Sequence, residues 1–245
     1  MICAYWCLSS NFGDALTPWI IERIRRERPA WVSPTFEAEH YIVSGSVLNL
    51  ANRHAFIWGA GIASLKDSVT PLARIFAVRG PISRALSLAS GARCPAIYGD
   101  PAMILPRLYD KTMPVEHDIG YVPHYVDQYR VSTHYPGEKI INVLDPIEKV
   151  IDDIRSCKRI VSSALHPIIV AHAYGIPAAW VQWSDSIGGD GTKYRDYFMS
   201  VKLDVPNPID RRENRDEIPS DAFVWPGKTN TADFWGACPI RRSGE

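Results

Sequence analysis

The sequence has no excess of charge of either sign. Its 245 residues include 27 Lys and Arg against 27 Asp and Glu, so the formal net charge at pH 7 is zero. No basic stripe stands out along the chain, and such a stripe is the usual sign of a protein that binds nucleic-acid phosphates. We therefore expect no nucleic-acid partner.

Cysteines are few and scattered. The chain has five, an odd number, and none forms a Cys-x-x-Cys pair or a metal-ligand spacing with histidine. This distribution argues against a disulfide scaffold and against a structural zinc site. We expect reduced thiols, a cytoplasmic location and no bound metal.

Long apolar runs are also missing. No stretch reaches the roughly 18 apolar residues that a membrane-spanning helix needs. The apolar N-terminal segment stops at Leu8 and lacks the basic start of a signal peptide. Gly59-Ala60-Gly61 does not extend to the Gly-x-Gly-x-x-Gly loop of dinucleotide-binding proteins. The sequence therefore predicts a soluble protein without a transmembrane segment or a bound dinucleotide.

What the sequence does contain is short apolar segments that alternate with helical patterns. Strands are predicted at Ile2–Leu8, Tyr41–Val43, Ala55–Trp58, Ile75–Val78, Ala96–Tyr98, Asp118–Val122, Lys139–Val143, Arg159–Ser162 and Ala178–Val181. Helices are predicted from about Ala15 to Arg28 with Asp14 as N-cap, from the turn at Pro81 to Ala89, and at Ile147–Cys157. This alternation predicts an α/β protein whose parallel sheets carry helices on both faces.

A change of composition at about 110–116 indicates a linker between two halves. We expect an N-terminal Rossmann-like domain at 1–112 on the acceptor side and a C-terminal one at 113–203 on the donor side, facing each other across a cleft. The segment 204–245 begins as a charged, proline-rich connector. Its last part, Asp221–Gly236, is expected to dock back on the body, because an unattached tail would not carry so many aromatic residues: Phe223, Trp225, Phe234 and Trp235.

The stretch Arg159–Val181 is the most informative part of the chain. It predicts a buried strand that ends at Ser162 and Ser163, a turn that carries His166, and a helix that begins at Pro167. His166 then lies at or near the N-cap, where free backbone N–H groups and the helix dipole favour an anion. We expect the anionic donor of an enzyme to bind here, in contact with both serines.

Arg79, Asp100 and His166 share one position in this pattern. Each follows a predicted strand and lies at or within two residues of a proline that suits a helix start. Ligands of open parallel sheets bind beyond the carboxyl ends of the strands. The three side chains are therefore expected at one rim, or at two rims that face each other across a cleft.

Five sequence blocks carry a family resemblance. In chain order they are Asn11-Phe12-Gly13-Asp14, Val43-Ser44-Gly45-Ser46, Phe76–Pro81, Tyr98-Gly99-Asp100-Pro101, and Ser162–His166 with Gly175-Ile176-Pro177. Through these blocks, over roughly residues 8–200, the chain resembles the polysaccharide pyruvyl transferases. The resemblance implies a two-domain fold similar to the glycosyltransferase-B architecture.

The resemblance also implies an activity. Enzymes of this family attach pyruvate from phosphoenolpyruvate to sugars as a ketal, so we expect a pyruvyltransferase of exopolysaccharide or cell-surface polysaccharide biosynthesis. Phosphoenolpyruvate is then the co-substrate, without a further cofactor. The implied acceptor is a sugar, expected as a lipid-linked oligosaccharide, which would bring the protein into transient contact with a membrane surface.

Roles for four residues follow from this activity. The Arg79 guanidinium matches the donor carboxylate, unless it pairs with a nearby acid. His166 serves the phosphate end and delivers a proton as general acid, unless it is a capping or core histidine. Asp14 and Asp100 are the candidate bases for the attacking hydroxyl, and each is also placed to cap a helix.

Four further residues are candidate substrate contacts. Asn11 binds the acceptor or makes an Asx turn. His124 ends the first strand of the second half and is expected on the cleft rim. Lys193, with Arg195, clamps the phosphate or belongs to a solvated helix start.

The chain departs from the family at Ala164-Leu165-His166-Pro167, where many members have Arg-x-His-Gly. The cation missing at Ala164 would be supplied from one of four other positions: Arg84, His172, Lys193 or Arg195. Core packing remains the alternative for His172.

Two other functions fit the same sequence. The scaffold also suits a glycosyltransferase that uses a nucleotide sugar, because fold alone does not fix chemistry. A sugar-binding homologue without activity is the second alternative, which the missing arginine at Ala164 favours.

Overall fold

The computed structural model describes residues 1–9, 11–213, 217–227 and 231–241. Within these ranges the named strands form two five-stranded sheets, and all neighbouring strands run parallel. The first sheet has the order β2-β1-β3-β4-β5 and contains β1 (Cys3–Tyr5), β2 (Ala30–Trp31), β3 (His40–Ile42), β4 (Ala55–Trp58) and β5 (Arg74–Ala77). The second has the order β10-β9-β8-β6-β7 and contains β6 (His117–Val122), β7 (Lys139–Ile140), β8 (Cys157–Ser162), β9 (Ala178–Gln182) and β10 (Ile209–Asp210).

Helices connect and flank these strands, so the predicted α/β class with parallel sheets is confirmed. The α-helices are α1 (Phe12–Arg25), α2 (Pro81–Ala89), α3 (Leu105–Leu108), α4 (Gln128–His134), α5 (Ile147–Arg155), α6 (Leu165–Ala173), α7 (Thr192–Ser200) and α8 (Thr231–Gly236). Short 3₁₀ helices lie at Leu48–Leu50, Pro101–Ile104, Tyr125–Asp127 and Ser220–Ala222. Within the described ranges, no helix is both long enough and apolar enough to cross a membrane.

Helix α1 begins earlier than its apolar pattern predicts. Leu16, Ile20 and Ile24 lie buried on one face, as expected. The N-cap is Asn11, because its side chain accepts a hydrogen bond from the backbone N–H of Asp14. The prediction of Asp14 as N-cap was therefore wrong, and Asp14 lies inside the first turn.

Helix α6 also begins before its predicted start. Its N-cap is Ala164, so His166 lies in the first turn and Pro167 follows one residue later. The helix is buried on nearly all sides, because it contacts its own sheet at β8 and β9 and also the first-half turn Pro101–Ile104. A continuous apolar core therefore joins the two halves behind the cleft.

The predicted strands and the observed ones differ mainly at the sheet edges. Strand β4 has the predicted bounds, whereas the strand predicted at Ala96–Tyr98 is reduced to one bridge between Val78 and Tyr98. The two-residue strands β2 and β10 were not predicted, and β10 lies in the expected connector. Edge strands this short carry too little pattern to be recognised in sequence.

The described part of 204–245 packs on both halves. Phe234 stacks on Trp58 with ring centroids 4.6 Å apart, and Trp58 Nε1–H donates to the Phe234 carbonyl at 2.9 Å. Phe223 is buried against the second sheet, whereas Trp225 is 68% exposed. Within this segment, residues 214–216, 228–230 and 242–245 lie outside the described ranges.

Candidate active site

A cavity of about 390 Å³ lies between the two halves. Its first-half walls are the segment after β1 with the start of α1, and the turn after β3. Its second-half walls are the turn after β6, the start of α6 and the start of α7. The carboxyl ends of strands in both sheets therefore face one space, which is where parallel sheets bind ligands.

Half of the ten site residues predicted from sequence line this cavity. The lining residues are Asn11, Asp14, His124, His166 and Lys193. The other five lie behind the wall or away from it: Arg79, Arg84, Asp100, Ser162 and Ser163.

His166 is held from two directions. Its Nε2 atom lies 3.0 Å from Oγ of Ser44 and 3.6 Å from Oδ2 of Asp100. Its Nδ1 side packs directly on Gly13, where an added Cβ atom would collide with the ring. Gly13 is therefore required by close approach, and the imidazole of the second half touches the first helix of the first half.

Asp100 is fully buried behind His166. Its Oδ1 atom accepts from the backbone N–H of Ala102 at 2.9 Å and caps the turn Pro101–Ile104. Its Oδ2 atom has no hydrogen-bond partner among the described residues and faces the imidazole. The prediction of Asp100 as base for an acceptor hydroxyl does not fit this position, because a substrate in the cavity would meet His166 first.

Arg79 is also fully buried. Its Nε atom lies 3.2 Å from Oδ2 of Asp196, and its Nη1–H donates to Oγ of Ser46 at 2.8 Å. The other terminal nitrogen donates to the carbonyl of Ile62. The expected grip of Arg79 on a donor carboxylate does not fit this arrangement, and the alternative of a structural pair with an acid does. Arg79 reaches the cavity only through Ser46, which lines it.

Ser162 and Ser163 are buried in the turn before α6, and their hydroxyls make hydrogen bonds within the protein. The Ser162 hydroxyl donates to the carbonyl of Val122 at 2.6 Å and accepts from the N–H of Ala164 at 3.0 Å. The Ser163 hydroxyl accepts from the N–H of His124 and donates to Oδ2 of Asp127, both at 3.0 Å. Their predicted contact with substrate is corrected accordingly, because these bonds occupy both buried hydroxyls.

Of the four candidates for the missing cation, three do not line this cavity. Arg84 donates to the carbonyl of Cys94 at 3.2 Å, away from the cavity. Arg195 lines a different cavity beside Asp190. His172 is a core residue that contacts Tyr197 and the Val224 carbonyl, and burial lowers its pKa to about 4.

Lys193 is the candidate that lines the cavity. It has no hydrogen bond or ion pair among the described residues, and its Nζ lies 5.3 Å from the ring centroid of Tyr194. Burial, and then the positive charge of Arg79, lower the pKa of Lys193 to about 8, while Asp14 acts in the opposite direction. Burial and then Lys193 lower the pKa of His124.

Two helices begin at this cavity. Ala164, the N-cap of the nine-residue α6, makes no side-chain capping bond, and Leu165 and His166 follow it on the cavity wall. Phe12 and Gly13 at the start of α1 also line the cavity, and the Phe12 N–H already donates to the Val143 carbonyl at 2.7 Å. Free backbone N–H groups and dipole ends of this kind attract anions. Together with Lys193, the two helix starts therefore favour an anion in this cavity.

Asp14 brings one carboxylate to the same space. Its Oδ2 atom accepts from the side chains of Ser9 and Asn11. Asn11 therefore makes the local capping turn and also lines the cavity. Across the described ranges, no group of three or more His, Cys, Asp and Glu side chains is arranged to hold a metal ion.

Sequence reasoning missed residues on both sides of this site. Ser44 lies two residues after the end of β3, a position that the strand-end pattern could have identified. Tyr125, the residue after His124, also lines the cavity. Asp196 had no sequence signal, because its partner Arg79 lies in the other half of the chain.

Known proteins resemble this chain in two ways. Residues 10–185 match the sequence model of the family described as Polysaccharide pyruvyl transferase, which covers more than half of the chain. The chain is also similar to the protein named Uncharacterized protein L143 from Acanthamoeba polyphaga mimivirus, with 28% identity over 205 residues, which are 79% of this chain and 71% of that protein. No solved structure matches the chain. Lys193 lies beyond the range that the family model matches.

Proposed function

The chain belongs to the polysaccharide pyruvyl transferase family, and from this premise we propose that it transfers pyruvate from phosphoenolpyruvate to two hydroxyls of a sugar. One observation carries the proposal. A single cavity contains a lysine without a hydrogen-bond or ion-pair partner among the described residues, two helix starts, an imidazole and a carboxylate. This set can bind a small polyanion and exchange protons with it.

The start of α6 and Lys193 bind the donor. Phosphoenolpyruvate carries a phosphate and a carboxylate, and both require fixed positive partners in a partly desolvated site. We assign these to the N–H groups at the start of α6 and to Lys193. Lys193 takes the place of the cation absent at Ala164, because Arg84, His172 and Arg195 do not line this cavity.

His166 and Asp14 carry out the proton transfers. Protonated His166 gives its proton to the methylene carbon of the donor, which makes C2 electrophilic. The first sugar hydroxyl attacks C2 and forms a C–O bond, and its proton passes to the Asp14 carboxylate.

The second half of the reaction restores both groups. The C2–O bond to phosphate breaks, the leaving oxygen keeps the electron pair, and Asp14 returns its proton to the phosphate. The second hydroxyl then attacks C2 and closes the ketal, and its proton returns to His166. The two hydroxyl protons therefore end on the new methyl group and on phosphate, without an external acid or base.

The acceptor occupies the part of the cavity that is lined by Asn11, His124 and Tyr125. Asn11 and His124 offer hydrogen bonds there, and the ring of Tyr125 is 43% exposed at the wall. Aromatic rings with one polar end suit sugars, which present both apolar C–H faces and hydroxyls. We further propose that the acceptor is a lipid-linked oligosaccharide, used in the cytoplasm during exopolysaccharide or cell-surface polysaccharide assembly.

Labelled phosphoenolpyruvate tests this function. We expect release of inorganic phosphate together with transfer of the labelled three-carbon unit to a saccharide that has two suitably placed hydroxyls. His166→Gln should abolish both while the protein still unfolds cooperatively. Transfer of a sugar from a nucleotide sugar, without use of phosphoenolpyruvate, would favour the glycosyltransferase alternative. Binding of saccharide without any turnover would favour the inactive homologue.

A further inference from the structure

The two ring nitrogens of His166 have different surroundings. Nε2 faces away from the cavity, toward Ser44 Oγ at 3.0 Å and Asp100 Oδ2 at 3.6 Å. Nδ1 lies against Gly13 on the cavity wall and has no hydrogen-bond partner among the described residues. The ring therefore has one anchored nitrogen and one that a ligand can reach.

The anchored side contains a buried carboxylate oxygen that nothing else satisfies. Asp100 is fully buried, and Oδ1 already accepts from Ala102. Oδ2 has no hydrogen-bond donor within the described ranges. Burying such an oxygen without a donor is costly, so a nearby N–H that turns toward it is favoured.

The other buried histidine in this part of the core does not serve as that donor. His172 uses Nδ1 for the Tyr197 hydroxyl and Nε2 for the Val224 carbonyl. The Tyr197 hydroxyl, whose pKa is raised by burial and then by Asp100, is itself bonded to His172. His166 Nε2, at 3.6 Å, is the ring nitrogen that faces Asp100 Oδ2.

We propose that Asp100 is a positioning residue that keeps the His166 proton on Nε2 and thereby makes Nδ1 the atom that exchanges a proton with the substrate. An Nε2 lone pair would be repelled by the carboxylate, whereas an Nε2–H is attracted to it. Ser44 does not decide between these states alone, because its hydroxyl can donate or accept. The carboxylate can only accept, and it also stabilises the ring when Nδ1 gains its proton.

The tautomer part of this proposal holds for the free protein, and the role of Nδ1 as acid rests on the proposed function. When Nδ1–H gives its proton to the donor carbon, the ring is left as the neutral Nε2–H form that Asp100 favours. The second acceptor hydroxyl then returns a proton to Nδ1. No other proton source is required in this cycle.

Nitrogen-15 NMR of the histidine rings at alkaline pH tests the tautomer directly. The His166 signals are those that disappear in His166→Gln. We expect the Nε2–H form in the native protein and in Ser44→Ala. In Asp100→Asn we expect loss of that preference, because a neutral amide and the Ser44 hydroxyl can both donate to Nε2. Asp127→Asn removes another buried carboxylate that does not face His166 and should change nothing.

Two results would overturn the proposal: an Nδ1–H form in the native protein, or an unchanged tautomer in Asp100→Asn. The asparagine can still accept from Ala102 through Oδ1, which favours folding of the variant. If Asp100→Asn does not fold, the tautomer measured in the native protein is by itself the test of the proposal.

Steady-state kinetics then distinguish a failure of this proposal from a failure of the proposed function. With phosphoenolpyruvate and acceptor, Asp100→Asn should lower kcat by about 10²-fold or more and change the KM for phosphoenolpyruvate by less than about twofold. A large rise in KM with unchanged kcat would overturn the positioning role. If the tautomer changes as expected but the native protein never releases phosphate from phosphoenolpyruvate, the proposed function fails and the tautomer assignment stands.

Discussion

Nε of Arg79 lies 3.2 Å from Oδ2 of Asp196, and both side chains are fully buried. The pair joins the two halves of the chain, because Arg79 follows β5 and Asp196 belongs to α7. Asp196 also accepts from the backbone N–H groups of Ile82 and Ser83 at the start of α2. Helix α7 is thereby fixed against the first half, and it carries Lys193 one turn before Asp196.

This pair should matter for stability. Asp196→Asn leaves a buried guanidinium without its counter-charge, and breaking such pairs costs about 3–5 kcal/mol. Urea unfolding should show this loss. Glu39→Gln breaks the exposed pair with Arg74 and serves as the matched control, with little or no change expected. Equal stabilities of the two variants would show that the buried pair does not hold the halves together.

Substitution of Gly13 should lower turnover, because it displaces the His166 ring. In Gly13→Ala the new methyl group collides with the imidazole, so the ring must move from its place beside Ser44. A displacement of about 1 Å can lower turnover by about 10²-fold. Gly188→Ala is the control, because nothing lies within 4 Å of its added methyl group. Normal phosphate release by Gly13→Ala would remove His166 from the proton-transfer step.

The affinity for the donor should depend on pH through the ionisation of Lys193. Its ordinary pKa is 10.5 and burial lowers it to about 8 in the folded protein, so it loses its charge as the pH rises through 8. A bound anion favours the charged form and raises the pKa again. Binding of phosphoenolpyruvate at pH 8 should therefore take up a proton, and affinity should fall at higher pH.

Calorimetry in two buffers of different ionisation enthalpy measures that uptake. Lys193→Met should abolish it, whereas Lys158→Met, which alters an exposed lysine outside the cavity, should not. Proton uptake that persists in Lys193→Met would assign the linkage to another group.

Tyr125 should affect the acceptor more than the donor. Tyr125→Ala is expected to raise the KM for the saccharide while leaving the KM for phosphoenolpyruvate nearly unchanged, since the ring lines the part of the cavity that we assign to the acceptor. Tyr129→Ala removes a ring that is 86% exposed and does not line the cavity. Identical effects of the two variants in steady-state kinetics would contradict a specific contact of Tyr125.

The sequence was sufficient for features that depend on local pattern. Strand β4, the break at Gly175 and the position of His166 at the mouth of the cleft follow from apolar runs, turn residues and strand ends. The start of α1 could not be predicted in this way, because Asn11 and Asp14 are both good capping residues and only the backbone shows which one caps.

Features that depend on distant partners could not be predicted. Arg79 looks like a ligand-binding arginine until Asp196 is found beside it. Ser163 looks like a phosphate contact until its hydroxyl is found between His124 and Asp127. In both cases the deciding group comes from an element far away in the chain, and local spacing carries no information about it.

The central claim is that Lys193 supplies the charge that the chain lacks at Ala164. Equilibrium binding of phosphoenolpyruvate to the native protein, to Lys193→Met and to the double variant Ala164→Arg with Lys193→Met tests it most directly. We predict an affinity loss of about 10- to 100-fold in Lys193→Met, the size of one charge-assisted contact, and substantial recovery in the double variant. Native-like binding by Lys193→Met, or no binding of phosphoenolpyruvate by the native protein, would contradict the account.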